Sequence, residues 1–516
     1  MKIRGVSPPH HRLEGVRPWL RWAAVFAATL AAGCGGAKGP SNLLLVTLDT
    51  VRADRIGAYG YAGARTPVLD RLAERGVLFE AAFCQAPLTL PSHVSLLTGT
   101  YPFFHGVRDN GYFTLTERAT TLAEVLGRAG CDSAAFIGGY PLDSRFGLDQ
   151  GFELYDDELT AGVERHFGRL MNVERPAGLS TDRAIEWLKR ARDRPFFLWI
   201  HYYDPHAEYL PPPPFDRAFA ERPYDGEIAY VDRQLGRLIE ALGELDLERS
   251  TVIAAISDHG ESLGEHGEYE HGLQLYDNTA RVPWILALPD ERFAGRRVGA
   301  LVETVDLMPT VLELLQVSAP RSVQGKSVVP LLEGRRDRLR EAVYLETYSP
   351  RLYFERCELL GWRDLRFKYV RAPRPELYDL QRDPAELDNI VARAPERARR
   401  MDEALKRFVA LAEQSPAPSA AQDLDPEAQA KLESLGYLAG SSGWKDVDLS
   451  QPCQGDPKEL VPLVSEFQYA ERLARLGRWE EAKAHVSAVQ SLDPENRFHG
   501  EKLTQLLVFL NQQIGS

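Results

Sequence analysis

Acidic side chains follow long apolar runs at three places in the sequence. The pairs of run and acid are Leu43–Leu48 with Asp49, Phe196–His201 with Asp204, and Thr251–Ser257 with Asp258. Two of these acids have a nearby histidine, in Asp204-Pro205-His206 and Asp258-His259. A single such acid could be a helix cap, but three at the carboxyl ends of buried strands are typical of a ligand site. Carboxylate and imidazole ligands suit Zn²⁺ or Mn²⁺, and Ca²⁺ less well.

A hydroxyl with two alternative roles stands at Thr89. Pro91 and Gly99 predict a helix between them, with Thr89 at or beside its N-terminus. In one interpretation Thr89 only caps this helix. In the other, the positive end of the helix dipole and a bound cation lower the pKa of the hydroxyl and make it a nucleophile.

Strand-like and helical patterns alternate between residues 41 and 412. The predicted helices are 66–76, 89–99, 122–130 and 230–245, and the predicted strands are 43–48, 133–137, 196–201, 251–257 and 284–288. This alternation predicts an α/β fold with a mixed, mostly parallel sheet sandwiched by helices.

Composition limits the class of protein. Five cysteines in 516 residues exclude a scaffold built on disulfides, and a net charge of −13 argues against a general nucleic-acid binder. No apolar run reaches the length of about 20 residues expected in a polytopic membrane protein. We expect four of the cysteines to be small buried side chains without a bridge or zinc site: Cys84, Cys131, Cys357 and Cys453.

The N-terminus has the pattern of an export signal. Basic residues up to Arg21 precede an apolar run, Trp22–Ala32, that is too short to span a bilayer. The segment Leu30–Cys34 resembles a bacterial lipobox. We therefore predict a signal peptide over 1–33 and a lipidated Cys34, in a periplasmic or cell-envelope lipoprotein whose only membrane contact is its lipid anchor. An ordinary cleaved signal is the alternative.

The C-terminal part has a different composition. Residues 413–456 are rich in Pro, Ser, Gly and Asp and predict a linker with a short helix near 427–435. Residues 457–516 predict a small all-α tail of two or three amphipathic helices. Its pattern resembles a tetratricopeptide unit, carried by Tyr469, Ala470, Leu473, Gly477, Trp479, Ala482 and Pro494. Such a unit needs a partner protein or a neighbouring surface; the alternative is a helical hairpin docked on the core.

Several separate motifs resemble the sulfatase family of the alkaline phosphatase superfamily. They occur in the family's order and include LDTVRADRIGAYGY, TLPSHVSLLTG, HYYDPHAEYLPP, SDHGESLGEHGEYEHG and LYDNTARVP. The likeness covers roughly 41–410, and the segment AKLESLGYLAG looks like part of the C-terminal extension of some bacterial members. The resemblance implies an alkaline-phosphatase-like fold and a metal-dependent hydrolase of sulfuric or phosphoric esters.

The resemblance also implies roles for individual residues. Those that match metal ligands are Asp49, Asp258 and His259, and Thr89 matches the nucleophile. His206 matches a histidine that contacts the transferred group or the leaving oxygen.

Two further positions have alternatives. His271 stands where sulfatases carry a Lys and two-metal relatives carry a His ligand; with Asp204 or His206 it could hold a second ion, or it is a surface histidine. Asn110 stands near an Asn that binds the substrate oxygen in diesterase relatives, or it is a turn residue.

Departures from the family pattern bear on the reaction. Formylglycine sulfatases need Cys or Ser at the nucleophile position and Arg four residues later, where this chain has Thr89 and His93. Thr50 replaces an Asp, and Gly138-Gly139-Tyr140 replaces a Lys-x-His. These changes favour a direct Thr alkoxide and a phosphodiester or phosphonate ester over a sulfate ester.

The substrate expected is an anionic ester of a glycan, a lipid head group or a small molecule. A transferase that passes the phosphoryl-linked group to an envelope lipid or glycan is one alternative. A catalytically silent lipoprotein that binds anionic glycans is another.

Overall fold

A computed structural model describes residues 41–159, 161–166, 169–191, 193–411, 419–435, 437, 452–494 and 500–515, with side chains left out at 161–172, 500 and 501. The predicted signal peptide, Cys34 and most of the predicted linker lie outside these residues.

The strands are short and alternate with helices over the larger part of the chain. In chain order they are β1 (Asn42–Leu48), β2 (Val77–Phe83), β3 (Phe113–Leu115), β4 (Asp132–Phe136), β5 (Leu154–Asp156), β6 (Ala161–His166), β7 (Arg169–Glu174), β8 (Phe196–Tyr202), β9 (Thr251–Ser257), β10 (Ser262–Leu263), β11 (Tyr269–Glu270), β12 (Arg281–Ala287), β13 (Arg296–Val298), β14 (Val302–Glu303), β15 (Val343–Thr347), β16 (Leu359–Arg363), β17 (Phe367–Arg371), β18 (Glu376–Asp379) and β19 (Ser419–Ala421).

The α-helices cover the sheet and form the C-terminal tail. They are α1 (Pro67–Arg75), α2 (Thr89–Thr98), α3 (Pro102–His105), α4 (Leu122–Arg128), α5 (Ala177–Ala191), α6 (Phe215–Ala218), α7 (Pro223–Glu244), α8 (Asp277–Ala280), α9 (Leu307–Leu314), α10 (Val329–Leu332), α11 (Ser349–Phe354), α12 (Pro395–Ala410), α13 (Pro426–Ser434), α14 (Val461–Arg475), α15 (Trp479–Leu492) and α16 (Gly500–Ile514).

A nine-stranded sheet forms the centre, in the order β13-β2-β12-β9-β1-β8-β4-β5 with β14 also beside β2. Strand β1 runs parallel to both β8 and β9. Its alternate side chains enter different cores, Leu43 on one face and Leu44 on the other. Burial on both faces explains the unbroken apolar run, and the predicted α/β fold is confirmed.

One strand of the central sheet runs antiparallel to its neighbours. The predicted strand 284–288 is β12, and it pairs antiparallel with β9 and β2. The connection from β9 to β12 is therefore not a helical crossover but the loop that carries the Asp258-His259 motif.

A second, antiparallel sheet, β15-β16-β17-β18, follows in the chain and packs against α12. Near it, Cys357 and Cys453 form a disulfide between positions 96 residues apart. The expectation that these two cysteines lack a bridge is therefore wrong, because a bridge across so long a separation leaves no spacing signature. Cys84 and Cys131 are buried and free, as expected.

The helices α14, α15 and α16 share a small core of their own, centred on Phe467, Ala470 and Leu506. They also contact the larger part of the chain. Tyr469 stacks on Tyr269 with ring centroids 5.0 Å apart, and Arg475 pairs with Glu208 at 3.0 Å. Among the described residues, no helix combines the length and the apolar character that crossing a membrane requires.

Candidate active site

The carboxyl ends of β1, β8 and β9 lie level at one edge of the sheet. The strand register pairs Leu48 with both Tyr202 and Ser257, so the residues that follow these strands emerge together. Asp49, Asp258 and His259 accordingly meet, with one ligand atom of each within 4.8 Å of the others. All three are 0% exposed. In the described part of the chain, this is the one group of three or more such side chains placed to hold a metal ion.

The carboxylate of Asp258 is held by its neighbours through one oxygen. Its Oδ1 accepts the backbone N–H of His259 at 2.8 Å and that of Thr50 at 3.2 Å. Thr50 has φ 56°, in the left-handed region where a β-branched residue is strained. This backbone conformation aims the N–H at Asp258 and leaves Oδ2 without a hydrogen-bond partner among the described residues.

The other two members also present unbonded atoms. Both oxygens of Asp49 are buried without a hydrogen-bond partner in the described structure. His259 donates its Nδ1–H to the carbonyl of Gly260 at 2.9 Å, which leaves Nε2 as the ring atom with a free lone pair. Buried carboxylate oxygens without donors are costly, and a divalent cation is the group that balances them. The residues present therefore fit a metal site.

Burial dominates the ionisation of the cluster. It raises the pKa of Asp49 and that of Asp258 well above their ordinary values, and repulsion from neighbouring carboxylates adds to both. Burial also lowers the pKa of His259, with a further contribution from His271. Burial thus disfavours charge on all three side chains, and a bound cation would favour the ionised carboxylates and the neutral imidazole, which are the forms that bind metal.

Thr89 is the first residue of α2 and points toward this cluster. Its Oγ1 lies 3.5 Å from His259 Nε2. The residue at the cap position is Leu88, and no side chain caps this helix end. The hydroxyl thus lies at the positive end of the helix beside the ligand atoms, as the functional interpretation requires.

Asn110 contacts the backbone immediately after Thr89. Its Oδ1 accepts the N–H of Leu90 at 2.7 Å, and its Nδ2 is buried without a hydrogen-bond partner in the described residues. The side chain is thereby fixed and still has donors to offer, which is more than a turn residue needs.

His206 and His271 lie beside the cluster. His206 donates Nδ1–H to the carbonyl of Ala207 at 2.7 Å and stacks on Tyr203, with centroids 4.5 Å apart. The ring of His271 lies 4.3 Å from that of His259 and 5.3 Å from that of His206. His271 is therefore buried in the site and is not a surface histidine.

Asp204, predicted as a metal ligand, is not brought into the cluster. Both of its oxygens accept the backbone N–H of Ala177, at 3.0 and 3.1 Å, at the start of α5. The side chain caps a helix instead, which was the other role open to an acid after a strand. Its pKa is raised to about 7 because the carboxyl group is buried, and repulsion from Glu174 adds to the shift.

Other residues complete the site without having been predicted. Glu261 Oε1 lies 3.0 Å from His271 Nδ1. Trp199 donates to Thr47, whose hydroxyl donates to His201 Nδ1 at 3.0 Å; His201 Nε2 then lies 3.3 Å from Asp49 Oδ2. The position of Glu261 within the SDHGES motif and that of His201 at the end of a buried strand were the available signals.

Tyr437 is the most distant contributor in sequence. It lies 348 positions after Thr89, and its hydroxyl is 3.3 Å from Thr89 Oγ1 and 3.1 Å from His206 Nε2. The only signal for it was the segment AKLESLGYLAG, which the family resemblance singled out without a role.

A hydroxyl beside a buried carboxylate–imidazole cluster, at the carboxyl edge of a mixed sheet, is the arrangement of an ester hydrolase. A family model described as "Sulfatase" matches residues 41–317, and one described as "N-sulphoglucosamine sulphohydrolase, C-terminal" matches 264–414. The chain belongs to the sulfatase family and is a hydrolase that acts on ester bonds.

The similarity to individual relatives extends over most of the length of each relative. An arylsulfatase of Clostridium perfringens is 24% identical over 441 residues, covering 68% of this chain and 90% of that protein. The multifunctional alkaline phosphatase superfamily protein PehA of Trinickia caryophylli is 25% identical over 475 residues, covering 68% and 91%. The crystal structure of a phosphonate monoester hydrolase of Agrobacterium radiobacter superimposes with a TM-score of 0.61 and 25% identity, over 75% of this chain and all of that one.

Proposed function

We propose that this protein is a metal-dependent hydrolase of phosphodiesters or phosphonate esters, with Thr89 as its nucleophile. The observation that carries this proposal is the position of Thr89 Oγ1, at the N-terminus of α2 and 3.5 Å from His259 Nε2 in the ligand cluster.

Asp49, Asp258 and His259 would hold the ion, and Zn²⁺ or Mn²⁺ suits two carboxylates with one imidazole better than Ca²⁺ does. When bound there, a divalent ion supplies positive charge that favours the deprotonated Thr89 oxygen and neutralises charge on the ester. With Asp204 engaged at α5, a second ion would have to rely on His206 and His271, so we propose one ion per chain.

The reaction uses four side chains in two displacements. In the first, Thr89 gives its hydroxyl proton to neutral His206 Nε2 and its oxygen forms a bond to phosphorus; the bond to the leaving oxygen breaks, and that oxygen takes the proton from His206 Nε2. In the second, water gives a proton to His206 Nε2 and its oxygen bonds to phosphorus; the bond from phosphorus to the Thr89 oxygen breaks, and that oxygen takes the proton from His206 Nε2. Among the described residues, Asn110 Nδ2 is an unbonded donor that a non-bridging oxygen could use. His271 Nε2 would donate to the other non-bridging oxygen when Glu261 carries the proton of the Glu261–His271 pair.

Steric and chemical details favour phosphorus over sulfur as the centre attacked. Thr89 cannot become an aldehyde, and His93 four residues on donates Nδ1–H to the Thr89 carbonyl at 2.8 Å. A Cβ at Gly138 would lie 2.7 Å from the carbonyl oxygen of His201, and one at Gly139 would lie 2.3 Å from the ring of Tyr203. No lysine fits at these two positions to hold a sulfate. The likeness to the phosphonate monoester hydrolase agrees with this preference.

Export and partner binding remain part of the proposal. The disulfide Cys357–Cys453 supports an oxidising compartment, as expected for a periplasmic or envelope lipoprotein. The tail, predicted to resemble a tetratricopeptide unit, packs on the catalytic part through α14, and its outer helices remain available to a partner protein.

A panel of p-nitrophenyl sulfate, phosphate, bis-phosphate and phenylphosphonate esters tests the proposal. Wild type loaded with Zn²⁺ or Mn²⁺ should prefer the diester and the phosphonate. Thr89→Ala should lose at least about a thousandfold in kcat, while Thr89→Ser should keep measurable turnover because it retains the hydroxyl. Equal turnover by wild type and Thr89→Ala would remove Thr89 from the mechanism. Absence of turnover by every metal-loaded form would favour the silent binding protein, and faster turnover with added alcohols would favour the transferase.

A further inference from the structure

The chain returns to the active site after the catalytic core is complete. Strand β19 pairs antiparallel with β3, with Ala421 opposite Phe113, and α13 follows. Leu432 of α13 is fully buried and packs against Gly111, next to Asn110. The backbone N–H of Tyr437 then bonds to the Leu432 carbonyl at 3.1 Å. This segment, 419–435 with Tyr437, is called the return segment below.

The phenol of Tyr437 lies between the nucleophile and the leaving-group histidine. Its oxygen is 3.3 Å from Thr89 Oγ1 and 3.1 Å from His206 Nε2. Because His206 Nδ1 donates to the Ala207 carbonyl, Nε2 accepts the Tyr437 proton. The Tyr437 oxygen can then accept the Thr89 proton, so one phenol satisfies both groups.

The same position is the one that a substrate needs. A nucleophile reacts with an atom held about 3–3.5 Å away and aligned for attack. The phenol oxygen stands at that distance from Thr89 Oγ1, on the side where His206 would receive the leaving oxygen. A tetrahedral phosphoryl or sulfuryl group and the Tyr437 hydroxyl cannot occupy this volume together.

Burial leads to the same conclusion. Thr89 and its metal-ligand neighbours have no exposed surface, and His206 is 3% exposed. Tyr437 is itself only 9% exposed. An ester in solution therefore cannot reach Thr89 in this arrangement, and a side chain must move before the reaction begins.

We infer that the return segment is an intramolecular gate, in which Tyr437 occupies the transferred-group position and must withdraw for substrate to bind. This inference rests on the proposed function, since it takes Thr89 and His206 as the reacting pair. The segment is held by the pairing of β19 with β3 and by Leu432 and Leu435 in the hydrophobic core. Polar contacts include Arg145 with the Asp425 carboxylate and Arg475 with the Ser434 carbonyl, each at 3.3 Å. Strands β19 and β3 form a sheet separate from the nine-stranded one, so opening can displace Tyr437 without disrupting the central sheet.

The gate makes a kinetic prediction. If the competent state is a fraction of the population, removing the phenol raises kcat/KM by the inverse of that fraction. Tyr437→Ala should raise kcat/KM for bis(p-nitrophenyl) phosphate at least tenfold, mainly by lowering KM. Tyr437→Phe keeps the ring but loses both hydrogen bonds, and should give a smaller rise of twofold to fivefold. A fall in kcat/KM in Tyr437→Ala would overturn the gate, because it would make Tyr437 a substrate-binding group.

A second readout does not depend on turnover. In the full chain, Thr89→Cys can be labelled with 2-sulfonatoethyl methanethiosulfonate, with the wild-type chain as the background for its own cysteines. Labelling should be at least ten times faster in Thr89→Cys/Tyr437→Ala, and about twofold to fivefold faster in Thr89→Cys/Tyr437→Phe, which preserves packing. The matched control is Thr89→Cys/Tyr269→Ala, since Tyr269 stacks on the tail; its labelling should equal that of Thr89→Cys.

The two readouts separate the two proposals. Equal labelling with and without Tyr437, in an enzyme that still depends on Thr89, would overturn the gate and leave the proposed function in place. Faster labelling without the phenol, in a protein that hydrolyses no ester, would support the gate and overturn the proposed function.

Discussion

Glu261 Oε1 and His271 Nδ1 lie 3.0 Å apart, and this contact directs the other ring nitrogen of His271 into the site. The second carboxylate oxygen, Oε2, accepts the hydroxyl of Tyr209 at 3.1 Å. Because the Glu261 side chain is held at both oxygens, it can fix the plane of the imidazole. We expect this pair to act as a positioning device for His271.

Replacing Glu261 tests this positioning role. Glu261→Ala should lower kcat by about 10-fold to 100-fold because the ring loses its orientation, whereas Glu261→Gln should lose less because the amide still bonds to the ring. Steady-state kinetics on the preferred ester would measure both. The matched control is Glu265→Gln, in the same loop but paired with Arg52 at 2.7 Å; a loss equal to that of Glu261→Ala would refute a specific role.

Two substitutions at Asn110 should affect stability and activity differently. Asn110→Ala leaves the buried N–H of Leu90 without its acceptor and should lower the free energy of unfolding by about 1–3 kcal/mol. Asn110→Asp keeps the acceptor but replaces the Nδ2 donor with a negative oxygen facing an anionic ester. It should therefore be the more stable variant and yet lose about 100-fold or more in kcat. Denaturant melts and kinetics on both variants check this, and full activity in Asn110→Asp would contradict it.

The metal content of the protein should depend on the residues of the ligand cluster and not on their neighbours. Elemental analysis of purified protein should find one divalent ion per chain in wild type and in His271→Ala, and far less in Asp258→Asn. Chelation should abolish turnover and lower the melting temperature, because the ion stabilises the folded state alone. The control is Asp204→Asn, which weakens the cap of α5 and should keep its ion. If Asp204→Asn bound less metal than wild type, Asp204 would be a metal ligand after all.

The disulfide should stabilise the fold measurably. Cys357→Ser/Cys453→Ser should lower the free energy of unfolding by about 2–5 kcal/mol, since the bridge closes a long loop in the unfolded chain. Thermal melts with and without dithiothreitol provide the measurement, and reduction should bring wild type down to the variant. A variant at the free Cys131, Cys131→Ser, should keep its response to reduction. If dithiothreitol did not change the melting temperature of wild type, the result would show that no bridge forms.

Much of the fold could be predicted from local patterns. The runs at 43–48 and 251–257 are almost continuously apolar, and their alternation with helical patterns favours strands buried on both faces of a mostly parallel sheet. Asp49 and Asp258 follow from this prediction directly, because the residues just after parallel strands meet at one edge. The direction of β12 could not be predicted, since an apolar run reads the same in either orientation.

The rest of the site depends on contacts that leave no local signature. Asp204 follows a strand as Asp49 does, but the N-terminus of α5 lies within its reach and uses both of its oxygens. Tyr437 contacts Thr89 although the two residues are 348 positions apart. Nothing in the local sequence around this tyrosine indicates which residues its side chain contacts. Neither outcome is encoded in spacing or periodicity.

A covalent intermediate on Thr89 is the most direct test of the whole account. Metal-loaded wild type is mixed with a slow phosphonate ester, quenched in acid, digested and analysed by mass spectrometry, with Thr89→Ala as the control. We expect the phosphonyl mass on the peptide that contains Thr89, at a level that rises and decays with turnover, and no adduct in the control. Turnover of the ester with an unmodified Thr89 peptide, or an adduct on another residue, would contradict the account.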